Sequence, residues 1–318
     1  MAEPDILVLR PLMPMITDQL ARRYPLWRLW EQADRDGFLA GVGPRIRGVV
    51  AGGPVDAALV AQLPALEIVS NFGVGYDGVD TAACAARGVV VTNTPDVLTD
   101  EVADLAMGLL LATVRELPQA DRHVRAGSWL ERPYPLTGSL RGRKVGIIGL
   151  GRIGRAIAIR AAAFGLDIAY HGRTRQPDIA YPYYDSATAL AAAVDVLMVV
   201  APGGAGTRHI VDAGVLAALG PDGILINVAR GSLVDEDALI AALEAGTIRA
   251  AGLDVFADEP RVPARLIARD NVVLLPHVGS ASVHTRNAMA QLVVDNLVSW
   301  FDGRGPLTPV PETPAPRP

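Results

Sequence analysis

The chain has 318 residues, half of them apolar and a fifth charged, with a formal net charge of -5. That length accommodates two domains, each with its own core, and an acidic balance without a basic run argues against nucleic acid or an anionic membrane as the main partner. The single cysteine, Cys84, excludes a disulfide framework and a multi-cysteine metal site and fits a reducing, cytoplasmic setting. The chain starts acidic with an apolar run too short for a secretory signal, and no stretch approaches the ~20 unbroken apolar residues of a membrane span.

In chain order, apolar runs at residues 6–9, 49–51, 66–70 and 89–92 read as strands, alternating with helical stretches at 17–23 and 55–62. Near-continuous apolar strands suit a parallel sheet covered on both faces. Between the last two of these strands, Asn71-Phe72-Gly73-Val74-Gly75-Tyr76-Asp77 places two glycines where exposed amides either hold a carboxylate or only turn the chain into a helix. Residues 99–125 open on a plausible cap and run long and apolar, which predicts a linking helix kinked at Pro118, followed by a polar loop over 127–143.

The loop delivers the chain to VGIIGLGRIG, residues 145–154: a buried strand, then Gly149-Leu150-Gly151-Arg152-Ile153-Gly154, then a helical run. In this G-x-G-x-x-G, Gly149 allows the tight turn, Gly151 leaves room for a pyrophosphate against bare backbone, and Gly154 lets the helix lie close on the strand, whose partner helix supplies amide donors. A dinucleotide site places an acidic residue at the end of the second strand. Counting 18 on from Gly154 reaches Gly172, flanked by His171, Arg173, Thr174 and Arg175, with no carboxylate. Gly172 leaves space for a 2′-phosphate, and Arg173 and Arg175 can offer it charge-assisted hydrogen bonds, so NADP(H) is expected in preference to NAD(H).

Further strands are expected at 167–171, 194–200, 223–228, 250–255 and 271–275, with a helix at 234–244, the alternation of a doubly wound sheet. Three of them lead into polar motifs. Asn227-Val228-Ala229-Arg230-Gly231 ends on Arg230, Gly252-Leu253-Asp254-Val255-Phe256-Ala257-Asp258-Glu259-Pro260 carries an acidic cluster, and Leu275-Pro276-His277-Val278-Gly279-Ser280 carries a histidine. An arginine that holds a carboxylate and polarises a ketone, a histidine that donates a proton, and a carboxylate that steadies the imidazolium are what reduction of a 2-keto acid requires. His123, His209 and His284 have no such context, and no metal-ligand spacing is present. A helix over 281–301 is expected to cross back onto the first unit, and the proline-rich 303–318 to be disordered or loosely docked. The domain boundary therefore falls twice, giving a discontinuous first domain, 1–98 with 283–318, around a dinucleotide-binding domain, 99–282.

GLGRIG, NVARGSLVDEDAL, GLDVFADEP and LLPHVGS, with nearly the whole chain around them, resemble the D-isomer-specific 2-hydroxyacid dehydrogenases. The resemblance implies an α/β protein of two Rossmann-like or flavodoxin-like domains with parallel sheets and an active site in the interdomain cleft. It places the catalytic trio on Arg230, Glu259 and His277, the amides that bind the substrate carboxylate on Val74 and Gly75, and further cofactor contacts on Arg152, Ile153, Thr207, Val228, Asp254 and Gly279. TNTPDVLTDEVADLA at 92–106 and YHGRTR are most similar to the NADPH-preferring reductases of glyoxylate, hydroxypyruvate and hydroxyphenylpyruvate. APGGAGT at 201–207 departs from the proline-leucine-threonine pattern of many members. The family implies a homodimer, with 99–115 and the loop around Trp129 as candidate interface. Formate dehydrogenase, a relative, has glutamine where this chain has Glu259. The substrate side chain stays open, from glyoxylate to phenylpyruvate, hydroxyphenylpyruvate or 2-ketogluconate, and so does a non-enzymatic role like that of the family's nucleotide-sensing corepressors.

Overall fold

The computed structural model describes residues 3–313. Contacts divide them into two units, one made of the chain up to Leu98 with the part from Ser282 onward, the other of Thr99–Ala281.

In the first unit, β1 (Asp5–Val8), β2 (Leu26–Arg28), β3 (Ile46–Ala51), β4 (Ile68–Asn71) and β5 (Val90–Thr92) pair in parallel in the order β2-β1-β3-β4-β5. That is the flavodoxin-like doubly wound order. Successive side chains point to opposite faces, so Leu7 joins Val49, Val69 and Val91 under Leu39 and Leu59, while Ile6 and Val8 join Val50, Ile68 and Val90 against Ile16, Leu20, Val293 and Leu297. Burial on both faces is why the strands read as unbroken apolar runs, each fully buried Leu or Ile stabilising by about 1.5–3 kcal/mol. The helix Val283–Phe301 supplies the second cover, and it starts at the Ser282 hydroxyl, which accepts from the Thr285 amide at 3.1 Å.

The second unit has β6 (Lys144–Ile148), β7 (Asp167–His171), β8 (Tyr183–Tyr184), β9 (Val196–Val199), β10 (Ile224–Asn227), β11 (Ala250–Leu253) and β12 (Val272–Leu274) in the order β12-β11-β10-β9-β6-β7-β8, again all parallel. The order reverses between β6 and β9, and open α/β sheets bind ligands outside the carboxyl ends of the strands at that reversal. Among the described residues no helix is long and apolar enough to cross a membrane.

Three expectations change. β2 and β8 were not anticipated: they are edge strands of three and two residues, too short to carry a period. The stretch 99–125 is two helices, Thr99–Val114 and Leu117–Arg125, separated by Glu116 in a left-handed conformation (φ 52°), instead of one kinked helix. Pro118 sits in the first turn of the second helix, where its missing N–H removes no intrahelical bond. The C-terminal segment is docked, with Pro309 bridged to Thr92, the Val310 amide donating to the Val91 carbonyl at 2.9 Å and the Val310 side chain buried. It lacks periodicity because it is held by the edge of β5 and by side-chain hydrogen bonds. Residues 314–318 lie outside the described residues.

Candidate active site

Gly149 follows β6 with φ 97°, and a Cβ there would stand 2.6 Å from the Ala201 backbone, at the start of the loop after β9. A Cβ on Gly154 would stand 2.2 Å from the Gly149 carbonyl oxygen as the helix Arg152–Ala163 presses on the turn. Any side chain at either position would force the strand and helix apart. Gly151 differs, since a Cβ there would meet nothing within 4 Å, and as the N-cap it brings no side chain to the helix's first amides. The backbone is open and its donors are not capped by a side chain, which fits a pyrophosphate on this turn. Arg152 and Ile153 form the first turn itself.

β7 ends at His171, and Gly172 after it is also open around its missing Cβ. Arg173, Thr174 and Arg175 are exposed, and neither guanidinium enters an ion pair among the described residues. This is a cationic, roomy strand end that fits a 2′-phosphate. Gln176, which the sequence did not single out, ties this loop to the glycine turn. Its Nε2 donates to the Leu150 carbonyl at 2.9 Å, its Oε1 accepts from Arg155, and its amide donates to the Tyr170 hydroxyl at 2.8 Å. The Thr207 hydroxyl folds back on its own loop and donates to the Pro202 carbonyl at 2.7 Å, which makes 201–207 a self-contained turn; Val228 is buried at the end of β10.

Arg230, Glu259 and His277 follow β10, β11 and β12, three neighbouring strands of one sheet, so they emerge at the same carboxyl edge. The His277 Nδ1–H donates to Glu259 Oε2 at 2.7 Å, and the Phe256 amide donates to Glu259 Oε1 at 3.0 Å. Burial alone would raise the Glu259 carboxyl, but the His277 hydrogen bond, the Phe256 amide and the charges of His277 and Arg230 outweigh it and hold the group below the ordinary glutamate range. The Arg230 Nη1 donates to the Ala229 carbonyl at 2.7 Å, and the Arg230 carbonyl accepts from Asn227 Nδ2 at 2.9 Å.

Two devices invisible as chemistry in the sequence hold this edge. His277 has φ 54°, unusual for a residue with a side chain, and Asp254 stabilises that turn. The Asp254 carbonyl accepts from the His277 amide at 2.9 Å, and its carboxylate accepts from the amides of Val278 at 2.7 Å and Gly279 at 2.8 Å. Burial pushes the Asp254 carboxyl above its ordinary value in spite of those two amides. The second device is Gly231, where a Cβ would stand 1.9 Å from the Phe256 carbonyl carbon, so the loops after β10 and β11 lie backbone against backbone.

In the first unit, the loop after β4 presents backbone. The Gly73 carbonyl accepts from Asn71 Nδ2 at 3.2 Å and from the Thr94 amide at 3.0 Å, and the Val74 carbonyl accepts from Asn93 Nδ2 at 2.9 Å. In a trans peptide the C=O and the next N–H point in opposite directions. Anchoring these two carbonyls therefore aims the N–H groups of Val74 and Gly75 away from the anchors, an arrangement that suits an anion.

Residues 107–279 match the model of the D-isomer specific 2-hydroxyacid dehydrogenase NAD-binding domain. This chain belongs to the D-2-hydroxyacid dehydrogenase family. It is 50% identical to glyoxylate/hydroxypyruvate reductase A of Arabidopsis thaliana and 49% identical to hydroxyphenylpyruvate reductase of Plectranthus scutellarioides, each over 96% of this chain and 98% of the relative. Among solved structures it superposes with a TM-score of 0.96 on the NADPH-dependent glyoxylate/hydroxypyruvate reductase of Sinorhizobium meliloti in complex with NADP and malonate, at 53% identity over 100% of this chain and 99% of that one. The two parallel α/β sheets are those of a family of oxidoreductases.

Proposed function

We propose that the protein reduces a small 2-keto acid of the glyoxylate or hydroxypyruvate type to the D-2-hydroxy acid with NADPH. The observation that carries the reading is the 2.7 Å contact of His277 with Glu259 beside Arg230 at one sheet edge. Bound NADPH supplies the hydride. His277, steadied by Glu259 through Nδ1, uses Nε2 to give a proton to the keto oxygen as negative charge develops there. Arg230 binds the substrate and polarises the ketone, and the amides of Val74 and Gly75 are the groups we assign to carboxylate binding in the first unit. Gly149, Gly151, Arg152, Ile153 and Gly154 receive the pyrophosphate. Gly172, Arg173, Thr174 and Arg175 recognise the 2′-phosphate, with Thr207, Val228, Asp254 and Gly279 lining the remainder of the cofactor site. The identity to a hydroxyphenylpyruvate reductase supports a bulkier keto acid as the second reading.

The partner we assign to the helix 99–115 and the loop around Trp129, with the intervening helix, is a second copy of the chain. No residue of the helix Leu117–Arg125 is fully buried, and Leu117, Val124, Trp129 (66% exposed), Leu130 and Leu136 leave apolar surface uncovered. The helix Thr99–Val114 buries one face in its own unit and leaves Asp100, Asp104 and Gly108 exposed on the other. The buried lone Cys84 suits a reducing, cytoplasmic setting.

A panel of glyoxylate, hydroxypyruvate, 2-ketogluconate and phenylpyruvate, followed by NADPH absorbance, tests the reading. The highest kcat/KM is expected with hydroxypyruvate or glyoxylate; a larger value with phenylpyruvate selects the second reading, and saturable NADPH binding without turnover on any of the four overturns both.

A further inference from the structure

The C-terminal segment does more than end the chain. Asn296, fully buried in the helix Val283–Phe301, uses both ends of its side chain on it: Oδ1 accepts from the amides of Leu307 at 3.0 Å and Thr308 at 3.1 Å, and Nδ2 donates to the Thr308 hydroxyl at 2.9 Å. The Thr308 hydroxyl in turn donates to the Asn93 carbonyl at 2.6 Å, and the Asn93 amide donates back to the Thr308 carbonyl at 3.2 Å. Asn93 then spends its side chain on the Val74 carbonyl. Further along, Val310 and Thr313 hydrogen-bond β5, and the Tyr76 hydroxyl donates to Glu312 at 3.1 Å.

We infer that the strap 307–312 is a positioning element for the amides of Val74 and Gly75, acting through Thr308 and Asn93, and so sets the affinity for the substrate carboxylate. The inference rests on the reading above that these amides bind that carboxylate. β5 is an edge strand whose end carries Asn93. Without the strap, the Asn93 main chain loses both hydrogen bonds to Thr308, and its side chain no longer has a fixed origin from which to hold the Val74–Gly75 peptide plane. A fixed plane presents its N–H without ordering cost on binding, whereas a loose plane pays that cost when the anion arrives. The strap's hydrogen bonds run to Asn296, Asn93 and β5 within the first unit, so the effect should fall on the keto acid and spare the nucleotide.

Thr308→Val keeps the shape and removes the hydroxyl, and Thr308→Ser keeps the hydroxyl. In steady-state assays, Thr308→Val should raise the KM for hydroxypyruvate about fivefold, the scale of one hydrogen bond, with kcat and the KM for NADPH within about twofold of wild type, and Thr308→Ser should restore it. Thermal unfolding of both variants checks that each is folded. An unchanged keto acid KM in folded Thr308→Val, or an equal rise in both KM values, overturns the inference. The underlying reading is tested separately on the wild-type protein with NADPH bound, by whether the amide resonances of Val74 and Gly75 shift on saturation with oxamate. No shift overturns the carboxylate assignment and the strap's role with it. A shift together with an unchanged KM in Thr308→Val overturns the strap alone.

Discussion

After β10, β11 and β12 the second unit presents side chains, namely Arg230, Glu259 and His277, whereas after β4 the first unit presents backbone, the amides of Val74 and Gly75. The supporting parts differ as well. Arg230, Glu259 and His277 are held by backbone packing, through Gly231 against Phe256, and by side chains, through Asn227 on the Arg230 carbonyl and Asp254 under the His277 turn. Side chains hold the amides, through Asn71 and Asn93 on their carbonyls. One edge therefore fixes side chains that would act on the reacting atoms, and the other fixes backbone amides that would only bind. Damage to one should appear in turnover, and damage to the other in substrate affinity.

The sharpest way to break that distinction is Gly231→Ala. Its Cβ would collide with the Phe256 backbone at 1.9 Å, and the loops carrying Arg230 and Glu259 must separate. Because a displacement of about 1 Å in a catalytic group costs on the order of 100-fold, kcat/KM for hydroxypyruvate should fall at least that far, mainly in kcat. Gly151→Ala serves as the contrast, since its Cβ meets no atom within 4 Å. That variant should unfold at the wild-type temperature and lose affinity for NADPH alone.

Next in size is the strand end at Gly172. Replacing Arg173 and Arg175 together by Ala should raise the KM for NADPH by about 10- to 100-fold, the scale of one or two charge-assisted hydrogen bonds, and leave that for NADH nearly unchanged. An equal rise for both cofactors would show that these arginines do not read the 2′-phosphate. The smallest effect concerns Glu259. Its carboxyl in the folded state lies below the ordinary range, so the charge contributes stability above the unfolded-state value and loses it as pH falls through the lowered folded value. The stability gap between wild type and Glu259→Gln, by chemical denaturation, should shrink as pH falls below about 4.3. With a third of the side chain exposed, the gap should stay below about 1 kcal/mol.

The same contrast explains what the sequence disclosed. The placement of the candidate side chains was legible because residue type and position after a strand are both in the letters: Arg230, Glu259 and His277 stand out in the sequence and follow neighbouring strands of one sheet. Chemistry carried by backbone was legible only as a pair of glycines, and the anchors that aim Val74 and Gly75 look like ordinary turn asparagines. Asp254 was readable as an acid after β11 but not as the strut under His277, since that role depends on amides 24 and 25 residues away. Gly231 gave no signal because its requirement comes from Phe256 on another strand's loop. The sheets themselves were legible wherever strands were long and apolar; β2, β8 and the C-terminal strap escaped because edge pairing and hydrogen bonds leave no hydrophobic period.

The proposed proton donor is His277, held through Nδ1 by Glu259. The most direct measurement is single-turnover NADPH oxidation with saturating hydroxypyruvate at neutral pH, in wild type and in His277→Ala loaded with the same cofactor. With His277 as the donor, His277→Ala should bind NADPH as wild type does and oxidise it at least 100-fold more slowly. A rate within about threefold of wild type in the folded, NADPH-bound variant would contradict that role.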